Sequence, residues 1–151
     1  MNAHLHKLSE QSAPPQAWVV FTGQTDLPWL RLLRRGFRHC FVILNDGAHW
    51  MTFDPLSNYT DVHVCHLPAA FDLPLWLKDR GLKVVPAAIR RPARPAPWMP
   101  YSCVEAVKRL LGIHSRRILT PWHLYRYLSE GLAPSVLSNP SDHQGDFAWE
   151  V

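Results

Sequence analysis

The residues best suited to chemistry in this chain are a cysteine at a helix start, and a histidine and a carboxylate on neighbouring strands. Ser102-Cys103-Val104-Glu105 matches the S-x-x-E capping box, and Gly112 stands where the same helix would end in a left-handed residue. The two ends predict one helix over 102–112, with Cys103 at its first position. A thiolate there lies by the positive end of the helix dipole and beside backbone N–H groups without intrahelical partners, which lowers a thiol's pKa. The same N–H groups can stabilise the oxyanion formed when sulfur attacks a carbonyl. Val107, Leu110 and Leu111 fall on or beside the Cys103 side, so that side turns inward. The bland alternative is a small buried hydrophobe, the usual fate of a free cysteine.

FRHCFVIL (37–44) and AHWMTFDP (48–55) are strand-like runs on either side of Asn45-Asp46-Gly47. Asp-Gly between apolar runs signals a tight hairpin, because a type I′ turn needs positive φ at both central residues. With Asp46 and Gly47 at the centre, Leu44 faces His49, Phe41 faces Thr52 and His39 faces Asp54. Moving the turn to Asn45-Asp46 pairs His39 with Thr52 instead. A carboxylate beside a histidine fixes its tautomer and stabilises the imidazolium, the orienting role in a Cys-His-acid triad. His39 and Asp54 are otherwise a satisfied structural pair, or Asp54-Pro55 simply opens the next turn.

These residues need elements to position them. AWVVFTG (17–23) reads as a buried strand. LPWLRLLRR reads as a short helix capped by Thr25 or Asp26 and ended by Gly36, burying Leu27, Leu30 and Leu33 with Trp29 alongside. YTDVHVCHL (59–67) adds a third strand to the hairpin. FDLPLWLKDRG (71–81) is a short helix or irregular cover, and KVVPAAIR (83–90) is a strand near an edge because of Pro86. RPARPAPWMP (91–100) is an extended connector, and TPWHLYRYLSEG (120–131) is a last helix. The order predicts an α+β fold, an antiparallel sheet of about five strands with helices on one face. Residues 1–16 read as a flexible arm, 17–132 as the domain, and 133–151 as an irregular tail.

A His-first strand, an Asp-Gly hairpin, an acid near the end of the returning strand and a later Tyr-Ser-Cys-Val-x-x-Val helix together resemble the circularly permuted NlpC-type papain-like proteins. DLPWLRLLRRGFRHCFVIL and VHVCHL resemble the segments that flank the histidine and acidic strands of that group, and the likeness spans roughly residues 17–112. It implies a papain-like architecture with Cys103 as nucleophile, His39 as general base and Asp54 as orienting residue. Tyr101 and Ser102 would line the site or assist the oxyanion. The implied activity is a cysteine hydrolase (peptidase or amidase, cell-wall peptide included) or an acyltransferase, passing through a thioester on a peptide or acyl substrate. The group often has Glu at the third position, where Asp54 stands here. Cys40 beside His39 and the basic, proline-rich stretch before Cys103 also depart from the pattern.

Composition narrows the rivals. The chain has 151 residues, a net charge of +4 and seven tryptophans, enough for one packed domain and too weakly basic for a dedicated nucleic-acid binder. Arg90, Arg91, Arg94, Arg116 and Arg117 nevertheless form a potential basic rim, with Trp98 and Trp122 as stacking candidates or the rim as a guide for an acidic substrate. The three cysteines are an odd number with no CxxC spacing, so neither structural disulfides nor a cysteine zinc site is expected, and no cofactor is implied. Among nine histidines, His63 and His66 are expected on opposite faces of a strand, His4 and His6 lie in the arm, and His114 and His123 lack ligand spacing. No run reaches the length of a membrane span, and residues 1–16 have no apolar h-region. The expected location is cytoplasmic, or a phage particle. A third rival is an inactive papain-like assembly protein, whose arm and FAWEV tail would dock another subunit.

Overall fold

The computed structural model describes residues 16–25 and 27–131. Asp26, most of the N-terminal arm and the C-terminal tail lie outside them, as do the docking roles assigned to arm and tail. The fold is α+β. Strands β1 (Gln16–Thr22), β2 (His39–Asn45), β3 (Trp50–Pro55), β4 (Thr60–Cys65) and β5 (Lys83–Ala87) form one sheet in the order β4-β3-β2-β1-β5. Every neighbouring pair is antiparallel. Helices α1 (Leu73–Asp79), α2 (Cys103–Leu111) and α3 (Pro121–Gly131) complete the described chain. None is long and apolar enough to cross a membrane.

The helices cover both faces of the sheet, not one as the element order suggests. β1 and β2 are apolar at successive positions, the pattern of strands buried on both sides. On one face Val19, Phe21, Cys40 and Val42 pack with Val104, Val107 and Leu111 of α2 and Leu124 of α3. On the other, Val20, Ile43, Trp50 and Val84 pack with Leu73 and Leu77 of α1. Each fully buried aliphatic side chain stabilises the fold by about 1.5–3 kcal/mol. Among the described residues β5 is an edge strand that pairs only with β1, and Pro86 sits in it opposite Trp18. A proline is tolerated there because one side of the strand needs no ladder N–H.

The hairpin between β2 and β3 departs from the expected turn. Its ladder pairs Asn45 with Trp50 and Val42 with Phe53, so Asp46–His49 form a four-residue loop. The Asp46 carboxylate accepts the Ala48 and His49 N–H groups at 2.8 and 2.6 Å, and Asn45 Oδ1 accepts the Gly47 N–H at 2.8 Å. Gly47 alone has positive φ in this turn, 89°, while a type I′ turn would need it at Asp46 too. His39 therefore does not face Asp54. Partners slip by two residues, which preserves every side chain's face because strand alternation has period two.

Residues 27–35 do not form the expected helix. Only a 3-10 turn over Pro28–Leu32 forms, with no buried residue and no side-chain cap. Its first residue is flanked by Leu27, which has no side-chain oxygen to cap it, and Thr25 Oγ1 accepts the Leu27 N–H at 3.2 Å. Leu27, Leu30 and Leu33 are half-buried, and Trp29 stays 65% exposed. The segment is anchored by the residue that precedes β2. Arg38 sends its guanidinium to the Gly23 and Arg31 carbonyls, both at 3.4 Å. Phe37 then locks the start of β2 into an aromatic cluster, with ring centroids 4.9 Å from Trp122 and 4.8 Å from Tyr125.

Candidate active site

The expected residues meet at one end of the sheet. β1 ends there at Thr22, whose partner His39 opens β2, while β3 closes with Asp54 and Pro55. α2 starts at the same end. Ser102 is extended and its Oγ accepts the Glu105 N–H at 3.2 Å, so Cys103 is the first helical residue, as the capping motif predicts. The box closes on one side only: Glu105 turns away to Lys108 Nζ at 2.7 Å and Arg109 Nε at 3.0 Å. Lys108 is fully buried and also donates to the Ile118 carbonyl at 3.3 Å, which ties α2 to the segment leading into α3.

At its other end α2 is closed by Gly112, with φ 69° and the Ile113 N–H returning to the Lys108 carbonyl. A side chain at Gly112 would place its Cβ 2.0 Å from the Arg90 carbonyl oxygen. Glycine is required twice over, by conformation and by contact. The close approach holds the connector 88–100 against the helix end.

His39 and Asp54 are in contact despite the shifted register. They share a face as diagonal neighbours, and His39 Nε2 lies 2.6 Å from Asp54 Oδ1. Asp54 thus engages Nε2 and leaves Nδ1 as the nitrogen to serve the sulfur. Burial works against a charged His39, but its hydrogen bonds to Asp54 and Cys103 and their charges outweigh burial and raise its pKa from 6.5 to about 9. Cys103 moves the other way, from 9.0 to about 5. The largest cause is a hydrogen bond from the Cys40 thiol; burial opposes it, and the hydrogen bond and charge of His39 and the Cys40 backbone add to it. Between those values the site holds a thiolate beside an imidazolium.

Cys40 is the site residue that sequence reasoning missed. Its proximity to His39 was legible, but its role depends on where α2 docks, which no local pattern specifies. Its side chain faces the α2 core at 0% exposure, and burial followed by the Cys103 thiolate pushes its own pKa well above the ordinary range. It therefore stays a thiol and donates. Tyr101 lies at the mouth with its hydroxyl 2.8 Å from Thr60 Oγ1, another partner not anticipated. Ser102 stands beside it, its oxygen used by the helix cap.

His39, Asp54, Tyr101, Ser102 and Cys103 all line one cleft of about 510 Å³. Its walls are Leu27, Trp29, Leu30, Phe41, Leu56 and Leu82, with Thr22, Gln24 and Thr25 among its polar positions. Leu27 and Leu30 thus serve the cleft rather than a core. A wider and more open depression of about 750 Å³ lies elsewhere, between Pro92–Pro97 and His114–Arg116. Arg94 and Arg116 line that depression and not the cleft, so the expected basic rim does not surround Cys103. Trp122 lies beneath the Arg34 guanidinium at 3.7 Å and packs on Tyr125, in the aromatic cluster of α3.

The His63 and His66 rings approach to 6.4 Å, contrary to the opposite-face expectation, because His66 lies beyond the end of β4 where alternation stops. Among the described residues no group of three or more His, Cys, Asp or Glu side chains is placed to hold a metal. No family model, curated protein or solved structure matches this chain.

Proposed function

We propose that this protein is a cysteine hydrolase or acyltransferase that cleaves an amide, ester or thioester through a covalent thioester on Cys103. The observation that carries this reading is the pairing of a thiolate at a helix N-terminus with a histidine whose far nitrogen is held by a carboxylate. The resemblance to the permuted NlpC-type papain-like proteins agrees with it, since that pattern assigns the same three residues the same roles.

The chemistry follows from the positions. The Cys103 thiolate attacks the carbonyl carbon, and the electron pair of the C=O bond moves to oxygen. In the first turn of α2 the Glu105 and Ala106 N–H groups are taken by Ser102, which leaves those of Cys103 and Val104 to receive the oxyanion. As the tetrahedral intermediate collapses, the His39 imidazolium gives its proton to the departing amine, alkoxide or thiolate. Neutral His39 then takes a proton from water or an acceptor nucleophile, which attacks the thioester and releases Cys103 as thiolate. Asp54 keeps the imidazole oriented and favours its cationic form in both halves. Tyr101, fixed by Thr60, stands at the mouth to contact what enters.

Among the described residues the cleft carries no lysine or arginine, and its apolar walls fit an uncharged acyl or peptide group. An activated ester such as p-nitrophenyl acetate tests the reading without knowledge of the natural substrate. The expected result is a burst of nitrophenolate equal to the protein present, with an acetyl group found on Cys103 and no burst from Cys103→Ala. Acetylation elsewhere, with an unchanged burst in Cys103→Ala, would remove Cys103 from the mechanism.

A further inference from the structure

The two sulfurs of the site are unequal in access and share one packed cluster, Cys40 buried within it and Cys103 half-buried against it. Cys103 lines the cleft, where a small molecule can reach it. Cys40 does not line it, is 0% exposed, and directs its thiol to Cys103 from the core side. Cys65 packs against the opposite face of the sheet, with Trp50 and Ile43, and so cannot compete for either. All three are free cysteines. A catalytic thiol needs a donor to steady its charge, yet a hydroxyl or backbone N–H would serve. A second thiol adds chemistry that those donors lack.

We propose that the Cys103–Cys40 pair is a modification site at which a hydroperoxide converts the two thiols into an intramolecular disulfide. This rests on the reading of Cys103 as an accessible nucleophile and extends it to regulation of the same site. In the first step the Cys103 thiolate attacks one peroxide oxygen, the O–O bond breaks, and the leaving oxygen takes the His39 proton. Hydrogen peroxide then leaves as water and Cys103 becomes a sulfenic acid. In the second step the Cys40 sulfur attacks the sulfenic sulfur, the S–O bond breaks, and the Cys40 proton leaves with the hydroxyl as a second water. Two thiol sulfurs are oxidised to one disulfide and one peroxide is reduced to two waters. The thiolate character of Cys103 directs the oxidant to it, and burial spares Cys40 from direct attack. The disulfide removes the nucleophile reversibly and shields it from sulfinic acid.

The test uses the full chain and hydrogen peroxide, read by non-reducing peptide mapping, with iodoacetamide labelling of Cys103 measured before and after. The expected result is a peptide joining Cys40 to Cys103, a chain lighter by two hydrogens, and loss of labelling that dithiothreitol restores. Cys40→Ala, which fits a buried site without adding polarity, should abolish the linked peptide and let Cys103 proceed through a dimedone-trapped sulfenic acid to sulfinic acid. Cys65→Ala should leave the link unchanged. Prompt labelling of Cys103 followed by sulfinic acid and no Cys40 link in the unaltered chain overturns the disulfide alone and leaves the hydrolase reading standing. A Cys103 that neither alkylates nor oxidises overturns both.

Discussion

The protonation states of His39 and Cys103 are set by a few neighbouring side chains, and each can be removed singly. Loss of the His39 imidazole removes both the proton source and a cause of the low Cys103 pKa, so His39→Ala should lower kcat/KM by about 10²–10⁴-fold on any substrate with a poor leaving group. Asp54→Asn keeps a hydrogen-bonding group near Nε2 but removes the charge, and the His39 pKa should fall from about 9. The pH profile of kcat/KM checks this. In the unaltered protein it should form a bell with limbs near 5 and 9, where Cys103 and His39 respectively leave the ion-paired form. Asp54→Asn should move the alkaline limb downward, and an unmoved limb would mean that Asp54 does not support the imidazolium.

Elements matter here through their ends. Ser102→Ala deletes the cap of α2 and should cost about 1 kcal/mol, read by denaturant unfolding, while loosening the N–H groups that Cys103 shares. Gly112→Ala should cost more, about 2 kcal/mol or above, because a positive φ and a backbone oxygen both reject the new methyl. A Gly112→Ala variant as stable as the parent would show that the connector at Arg90 does not press on the helix end. Element ends also explain what was legible in the sequence. The α2 boundaries were readable because Ser102 and Gly112 act locally. The face shared by His39 and Asp54 was readable because alternation survives a two-residue slip, although the pairing itself was not. The Asp46 side chain, by accepting two N–H groups, closes a wider loop than the Asp-Gly rule supplies. The segment 27–35 misled because its leucines have helical spacing but Leu27 and Leu30 face a cleft, and apolar spacing cannot tell a core from a ligand wall. Cys40's partnership with Cys103 was illegible because it spans 63 positions and depends on how α2 packs on β2.

At the scale of the molecule, the sheet gathers residues from three distant stretches at one end and seals the opposite side of the site with α2, α3 and their core. Folding and site electrostatics are therefore linked. The His39 pKa is raised by folding, so its stabilising contribution is fully present below 6.5 and is lost as pH rises through about 9. The Cys103 pKa is depressed, so its contribution is fully present above 9.0 and is lost as pH falls through about 5. The advantage of the unaltered protein over Cys103→Ala should therefore shrink steadily as pH falls from about 9 through about 5. Parallel thermal unfolding of the two proteins across that range checks it, and a difference that does not vary with pH would show the pair is uncoupled from folding.

The central claim is that the fold creates a thiolate–imidazolium pair from Cys103 and His39, and the rate of iodoacetamide labelling at Cys103 between pH 4 and 9 tests it most directly. The account predicts labelling that rises with an apparent pKa near 5, and a shift of that midpoint toward the ordinary thiol range in His39→Ala. Slow labelling that titrates like a free thiol, and does so equally in His39→Ala, would contradict it.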